Sequence, residues 1–78
     1  MRTDEELVVA ARSGEADAFA SLVERWTERC WNIAWRILHD RDLAADVAQE
    51  TLLTAWQQLD RLDRPASFGG WVSRIALN

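Results

Sequence analysis

Between Asp42 and Leu62 the apolar residues of DLAADVAQETLLTAWQQLDRL recur with the period of an α-helix. Ala44, Val47, Ala48, Thr51, Leu52, Ala55, Trp56, Leu59 and Leu62 fall on one broad arc. Asp42, Asp46, Gln49, Glu50, Gln57 and Asp60 fall on the opposite arc. A segment patterned this way must bury one face against other helices. Leu53 breaks the pattern, because it stands among acids and amides. Asp46, Gln49, Glu50, Leu53 and Gln57 follow i, i+3, i+4, i+7, i+11 spacing and so form one ridge. Such a ridge can offer an apolar anchor surrounded by groups that bind arginines on a partner helix. A solvated surface is the alternative, and the pattern alone leaves both open.

The rest of the chain supplies helices for the buried face. Thr3-Asp4-Glu5-Glu6 reads as a capping box. It opens a short helix through Leu7, Val8, Ala10 and Ala11 that Gly14 ends. Glu15-Ala16-Asp17 opens a longer helix reaching about Leu38, with Phe19, Leu22, Val23, Trp26, Cys30, Ile33, Ala34 and Ile37 as its main stripe. Trp31, Trp35 and Leu38 make a second stripe on it. After the break His39-Asp40-Arg41, Asp40 or Asp42 caps the third helix. That helix ends near Leu62, because Pro65 disfavours helical geometry at Arg64. Asp63 to Ala66 is a loop, and Ser67 caps a fourth helix from Phe68 to Asn78. Its inner face is Phe68, Trp71, Val72, Ile75 and Ala76. No alternating run suggests a strand. The expected fold is all-α, a compact four-helix bundle.

Composition narrows the function. The chain has 78 residues, which allows one small domain, and 49% of them are hydrophobic, too many for a disordered tail. No apolar run approaches the roughly 20 residues of a membrane span. The start MRTDEELVV lacks the layout of a secretion signal. Both point to a cytoplasmic protein. One cysteine and one histidine leave no disulfide, no Cys/His metal cluster and no nucleophile–base pair. Neither an enzyme nor a bound cofactor is therefore expected. Cys30 reads as a small core residue, and His39 as a partner of helix-terminal carbonyls.

A net charge of −4 argues against a generic DNA coat. The charge is unevenly placed, though. Every acid except Asp60 and Asp63 lies in the first fifty residues, and Arg61, Arg64 and Arg74 outnumber those two afterwards. Two differently charged surfaces suit two different partners. In the last segment, Trp71, Arg74 and Asn78 are spaced i, i+3, i+7. An indole can stack on a base, an arginine can meet phosphate, and an amide can read a base edge. Gly69 and Gly70 would leave room for a backbone to approach. Trp71 also continues the Phe68–Val72–Ile75 stripe and reads as core. For Arg74 and Asn78 the pattern leaves DNA contact and ordinary surface both open.

At this point the motifs carry a family resemblance. DLAADVAQETLLTAW followed by SFGGWVSRIALN resembles region 2 of bacterial sigma factors of the extracytoplasmic-function (ECF) group of the sigma-70 family. Asp46, Gln49, Glu50, Leu53 and Trp56 match the family's acidic helix. Trp71, Val72, Arg74, Ile75, Ala76 and Asn78 match its W-L/V-x-R-I-A-x-N motif. The opening DEELVVAARSGEADAFASLVERW is similar to the family's first helices.

The resemblance implies a sigma region 2 bundle over residues 1–78 that binds RNA polymerase core and recognises and melts the promoter −10 element. Asp46, Gln49, Glu50 and Leu53, with Gln57 on the same ridge, would dock on the clamp helices of the polymerase largest-subunit pair. Asp63, Arg64, Ala66, Ser67 and Asn78, with Arg74 beside them, would hold the non-template strand. An anti-sigma protein is the implied regulator. The chain stops inside the segment where the family's DNA-reading helix continues, and the family's region 4 helix-turn-helix is absent. The expectation is thus a domain truncated at its C-terminal end, in which exposed tryptophans would favour self-association. The alternative is a sigma-like helical module that binds a regulator without DNA.

Overall fold

The structure, a computed structural model, describes all 78 residues. Its first helix, α1 (Asp4–Arg12), starts at the expected capping box. The Glu6 amide donates to the Thr3 hydroxyl at 3.1 Å, and the Thr3 amide donates to the Glu6 carboxylate at 2.9 Å. Asp4, Glu5 and Glu6 in the first turn and Arg12 in the last complement the helix dipole. Gly14 follows at φ 99°, a conformation that side chains resist.

The long helix α2 (Ala16–Leu38) ends in a left-handed residue, His39, at φ 52°. Its amide donates to the Trp35 carbonyl at 2.8 Å. The expected contact of the His39 side chain with terminal carbonyls is not made. The imidazole instead meets Trp35 edge-on, with ring centroids 5.2 Å apart. Helix α3 (Arg41–Gln57) is capped by Asp40, whose carboxylate accepts from the Leu43 amide at 3.0 Å.

The third helix is shorter than its periodicity predicts. It stops at Gln57, and Leu59–Arg61 forms a 3-10 turn. The apolar pattern runs on because Leu59 and Leu62 are both buried. What changes is the bonding of the backbone. The Arg61 and Leu62 amides make 3-10 bonds to the Gln58 and Leu59 carbonyls, and the Arg12 guanidinium adds a tertiary contact by donating to the carbonyls of Leu59 and Leu62. A second 3-10 turn, Pro65–Ser67, leads into α4 (Phe68–Leu77). Ser67 was expected to cap α4, yet its side chain makes no capping bond. The turn itself sets the entry, through the Ser67 amide and the Arg64 carbonyl at 2.8 Å.

The core forms where the four helices meet. Phe68, Leu22, Val8, Val72 and Cys30 are its largest fully buried side chains. Burying one such aromatic stabilises the fold by about 1.5–3 kcal/mol. Trp26 joins three helices. Its indole N–H donates to Asp4 on α1 at 3.1 Å, and its ring meets Phe68 on α4 edge-on at 6.2 Å. Arg25 holds the other Asp4 oxygen at 2.9 Å. Small residues on α3 (Ala44, Ala48 and Ala55, all buried) let it approach α2 closely.

Two residues leave the inner face that periodicity assigned them. Trp56 is 45% exposed and Ile37 is 59% exposed. Ile37 lies in the last turn of α2, just before the chain reverses at His39 into α3. At about 34 Å, α2 spans most of the molecule's 37 Å long axis, and its last turns outrun the bundle. No helix is long and apolar enough to cross a membrane.

Candidate functional site

The acidic ridge is exposed along its whole length. Asp46, Gln49, Glu50, Leu53 and Gln57 all face solvent, and Leu53 is 54% exposed. From Asp46 to Gln57 the ridge runs about 16 Å. It is also one rim of a larger feature. An apolar groove of about 580 Å³ lies between α2 and α3, and Gln49 and Leu53 help to line it. Trp56 lines it too, tilted against Phe19 with ring centroids 4.7 Å apart. Trp56 is therefore an exposed wall of the groove rather than a core residue.

Sequence reasoning found the ridge and missed the groove. Its signal is the small residues facing one another across the seam, Ala16 and Ala20 on α2 and Ala45 and Ala48 on α3. Methyl groups hold the helices together below and leave a trough above. Charge follows the same pattern on both sides. Asp17, Glu24 and Glu28 each come one position after a groove-lining residue of α2, and Asp46 and Glu50 do the same on α3. All five carboxylates are exposed, and none takes part in an ion pair within the chain. An apolar floor between two acidic rims fits a helix with an apolar stripe flanked by basic residues.

The second candidate set divides. Asp63, Arg64, Ala66 and Ser67 are exposed together on the turn before α4. Arg74 and Asn78 are exposed farther along that helix, with Asn78 about 16 Å from Ser67 by helical rise. The six residues are spread along the turn and the helix rather than gathered in one pocket. Asn78 also helps to line a small cleft of about 290 Å³ that includes Glu50. The two candidate surfaces thus meet at one point.

Trp71 and Gly69, beside these surfaces, are structural. Trp71 is half-buried against the core, as the apolar stripe predicts, and tilts on Phe68 at 5.9 Å. Gly69 was expected to admit a partner's backbone, but the space beside it is filled from inside by Trp26. Gly70 alone stays open. Trp31 and Trp35 stack at 6.3 Å and 18°, Trp31 packing on the core and Trp35 remaining exposed.

Two ionisable groups are shifted, and neither lies on these surfaces. Hydrogen bonds from the Thr3 backbone and side chain hold the Glu6 carboxyl below its ordinary value. Burial pushes the Cys30 thiol up, consistent with an inert core position. No group of three or more His, Cys, Asp or Glu side chains is arranged to hold a metal ion.

Residues 22–78 match the family described as Sigma-70 region 2, and the chain belongs to that family. Among its relatives is the ECF RNA polymerase sigma factor SigW of Bacillus subtilis, 33% identical over 67 residues, which cover 86% of this chain and 36% of SigW. The RNA polymerase sigma-H factor of Pseudomonas aeruginosa is 33% identical over 75 residues, covering 96% of this chain and 39% of that protein. The ECF RNA polymerase sigma-E factor of Salmonella typhimurium is 33% identical over 76 residues, covering 97% and 39%. The chain thus spans under two fifths of the length of these relatives. No solved structure matches it.

Proposed function

We propose that residues 1–78 act as one domain of a sigma factor, binding RNA polymerase core through α3 and holding the −10 non-template strand along α4. Asp46, Gln49, Glu50, Leu53 and Gln57 form the polymerase contact, and the α2–α3 groove beside them receives the apolar side of the docked helix. Asp63, Arg64, Ala66 and Ser67 hold the strand at one end, and Arg74 and Asn78 extend the path. Holding an unstacked base captures DNA that has already opened, so binding energy drives melting without covalent chemistry. The domain acts in the cytoplasm, where the polymerase is. An anti-sigma protein would inhibit it by covering the same acidic groove.

The observation that carries this reading is Leu53. A large apolar side chain, 54% exposed, stands among acids and amides on the rim of an apolar groove. The test is binding to core polymerase and, in that complex, to a single-stranded −10-like oligonucleotide. Asp46→Arg and Leu53→Asp are expected to abolish polymerase binding while the helical circular-dichroism signal persists. Arg64→Ala and Asn78→Ala are expected to leave polymerase binding intact and remove the preference for the −10 sequence. Normal polymerase binding by both ridge variants would defeat the docking reading. A regulator-binding module without DNA would show no oligonucleotide preference at all.

A further inference from the structure

Arg12 lies in α1, the helix that packs against the turn Pro65–Ser67, and belongs to neither candidate set. We propose that it is a positioning residue for the DNA-facing loop, an inference that rests on the function proposed above. Its guanidinium is half-buried and reaches across to the exit of α3. Nε and one terminal nitrogen donate to the Leu59 carbonyl at 3.2 and 2.9 Å, and the same terminal nitrogen donates to the Leu62 carbonyl. The carbonyls at a helix exit have no intrahelical partner of their own. Here the Leu59 carbonyl already accepts from the Leu62 amide at 3.2 Å, and the Arg12 side chain adds a tie to it and to the Leu62 carbonyl, which fixes the direction in which the chain leaves α3.

That direction decides where the loop begins. Leu62 is buried and extended, at φ −74° and ψ 114°, and it is the last anchored residue before Asp63. The next fully buried side chain is Phe68. Asp63, Arg64, Ala66 and Ser67 lie exposed between these two buried anchors, on a turn that packs against α1 and that Pro65 stiffens. Arg12 makes every side-chain hydrogen bond that the segment from Leu59 to Ser67 receives. Without it, the upstream anchor keeps the apolar contacts of Leu59 and Leu62 and the local backbone bonds from the Arg61 and Leu62 amides, with no side-chain tie to α1.

The residue type fits the task. A guanidinium offers several donors in a rigid planar fork, so it can bridge two carbonyls at once. A lysine ammonium in the same place is a single flexible head and reproduces the bridge incompletely. A loop held in its binding geometry loses less freedom on capturing a strand, and that saving appears as affinity.

The test uses the whole chain with core polymerase, comparing wild type with Arg12→Met, Arg12→Lys and Arg64→Ala. Methionine keeps an apolar stem and removes the donors. Three readouts are taken: affinity for core, affinity of the complex for −10-like against scrambled single-stranded oligonucleotide, and amide exchange across residues 63–68. For Arg12→Met we expect core affinity within twofold of wild type, −10 affinity about tenfold weaker, and faster exchange in the loop. Arg12→Lys should fall between the two. If Arg12→Met does not fold, Arg12→Lys carries the same comparison.

Equal losses of core and oligonucleotide affinity would reduce Arg12 to a general structural role and overturn the proposal. Unchanged oligonucleotide affinity in Arg12→Met, with a loss in Arg64→Ala, would overturn it while leaving the proposed function standing. No oligonucleotide preference in wild type would overturn both.

Discussion

Trp26 occupies the space that a side chain at position 69 would need. A β-carbon added to Gly69 would stand 2.4 Å from the indole, which Asp4 holds from the other side. At Gly70, one residue on, an added β-carbon meets nothing within 4 Å. Both glycines lie in α4, where alanine is the better helix former by about 0.8–1 kcal/mol. Gly70→Ala should therefore stabilise the protein by up to about 1 kcal/mol. Gly69→Ala should destabilise it, because overpacking costs about 1–3 kcal/mol. Urea midpoints of the two variants should move in opposite directions from wild type. A stabilised Gly69→Ala would mean that the indole yields freely.

Glu6 makes part of the stability pH-dependent. Its carboxyl is held below the ordinary value of 4.5 by bonds from Thr3. A depressed carboxyl contributes its full stabilisation above the unfolded value and loses it as pH falls through the folded value. Glu6→Gln keeps a hydrogen-bonding side chain and removes the titration. The stability gap between wild type and Glu6→Gln should stay constant from pH 7 down to about 5 and close below 4.5. Denaturant titrations at several pH values measure it, and a gap that persists unchanged to pH 3 would contradict the cap assignment.

His39 adopts a left-handed backbone, which is costly for any residue with a β-carbon. Its ring contact with Trp35 offsets part of that cost. Alanine would keep the strain and lose the contact, whereas glycine would lose both. We expect His39→Gly to be more stable than His39→Ala by about 1 kcal/mol, read as a difference in Tm of roughly 4–8 °C. Equal melting temperatures would show that the turn relaxes around the substitution.

The groove can be filled without disturbing the core. Ala45 lines it and is exposed. Ala45→Trp should change stability by no more than about 0.5–1 kcal/mol, since tryptophan costs a little in helix propensity and surface sites tolerate substitution. Affinity for core polymerase should fall at least about tenfold if a partner helix has to enter the groove. Calorimetric or interferometric titration against core separates the two effects. Unchanged affinity would restrict docking to the ridge crest.

The helices and the acidic crest were legible from periodicity, because burial acts on every turn of an amphipathic helix. Thr3 and Glu6 announced the first cap correctly, and Asp40 was one of the two residues that the spacing allowed for the third. Most of the failures have a common origin. The exit of α3, the role of Gly69 and the exposed face of Trp56 depend on contacts between residues far apart in the chain, whereas the missing Ser67 cap follows from the local turn at Pro65–Ser67. Nothing near Leu59 indicates that Arg12 will take its carbonyl. Nothing near Gly69 announces the Trp26 indole. The groove was within reach of the sequence, since its alanines repeat at helical spacing on both sides of the seam, but an alanine is easily read as filling when it is marking a hollow.

Cys30 is the chain's one thiol and is fully buried. A thiol reagent can reach it only when α2 parts from its neighbours, and burial also suppresses the reactive thiolate. Its labelling rate is therefore a built-in clock for opening of the bundle. Because none of the proposed contact residues includes it, the same clock can run on the free domain and on its complexes, so that tightening by a partner is read as slower chemistry at a site the partner never touches.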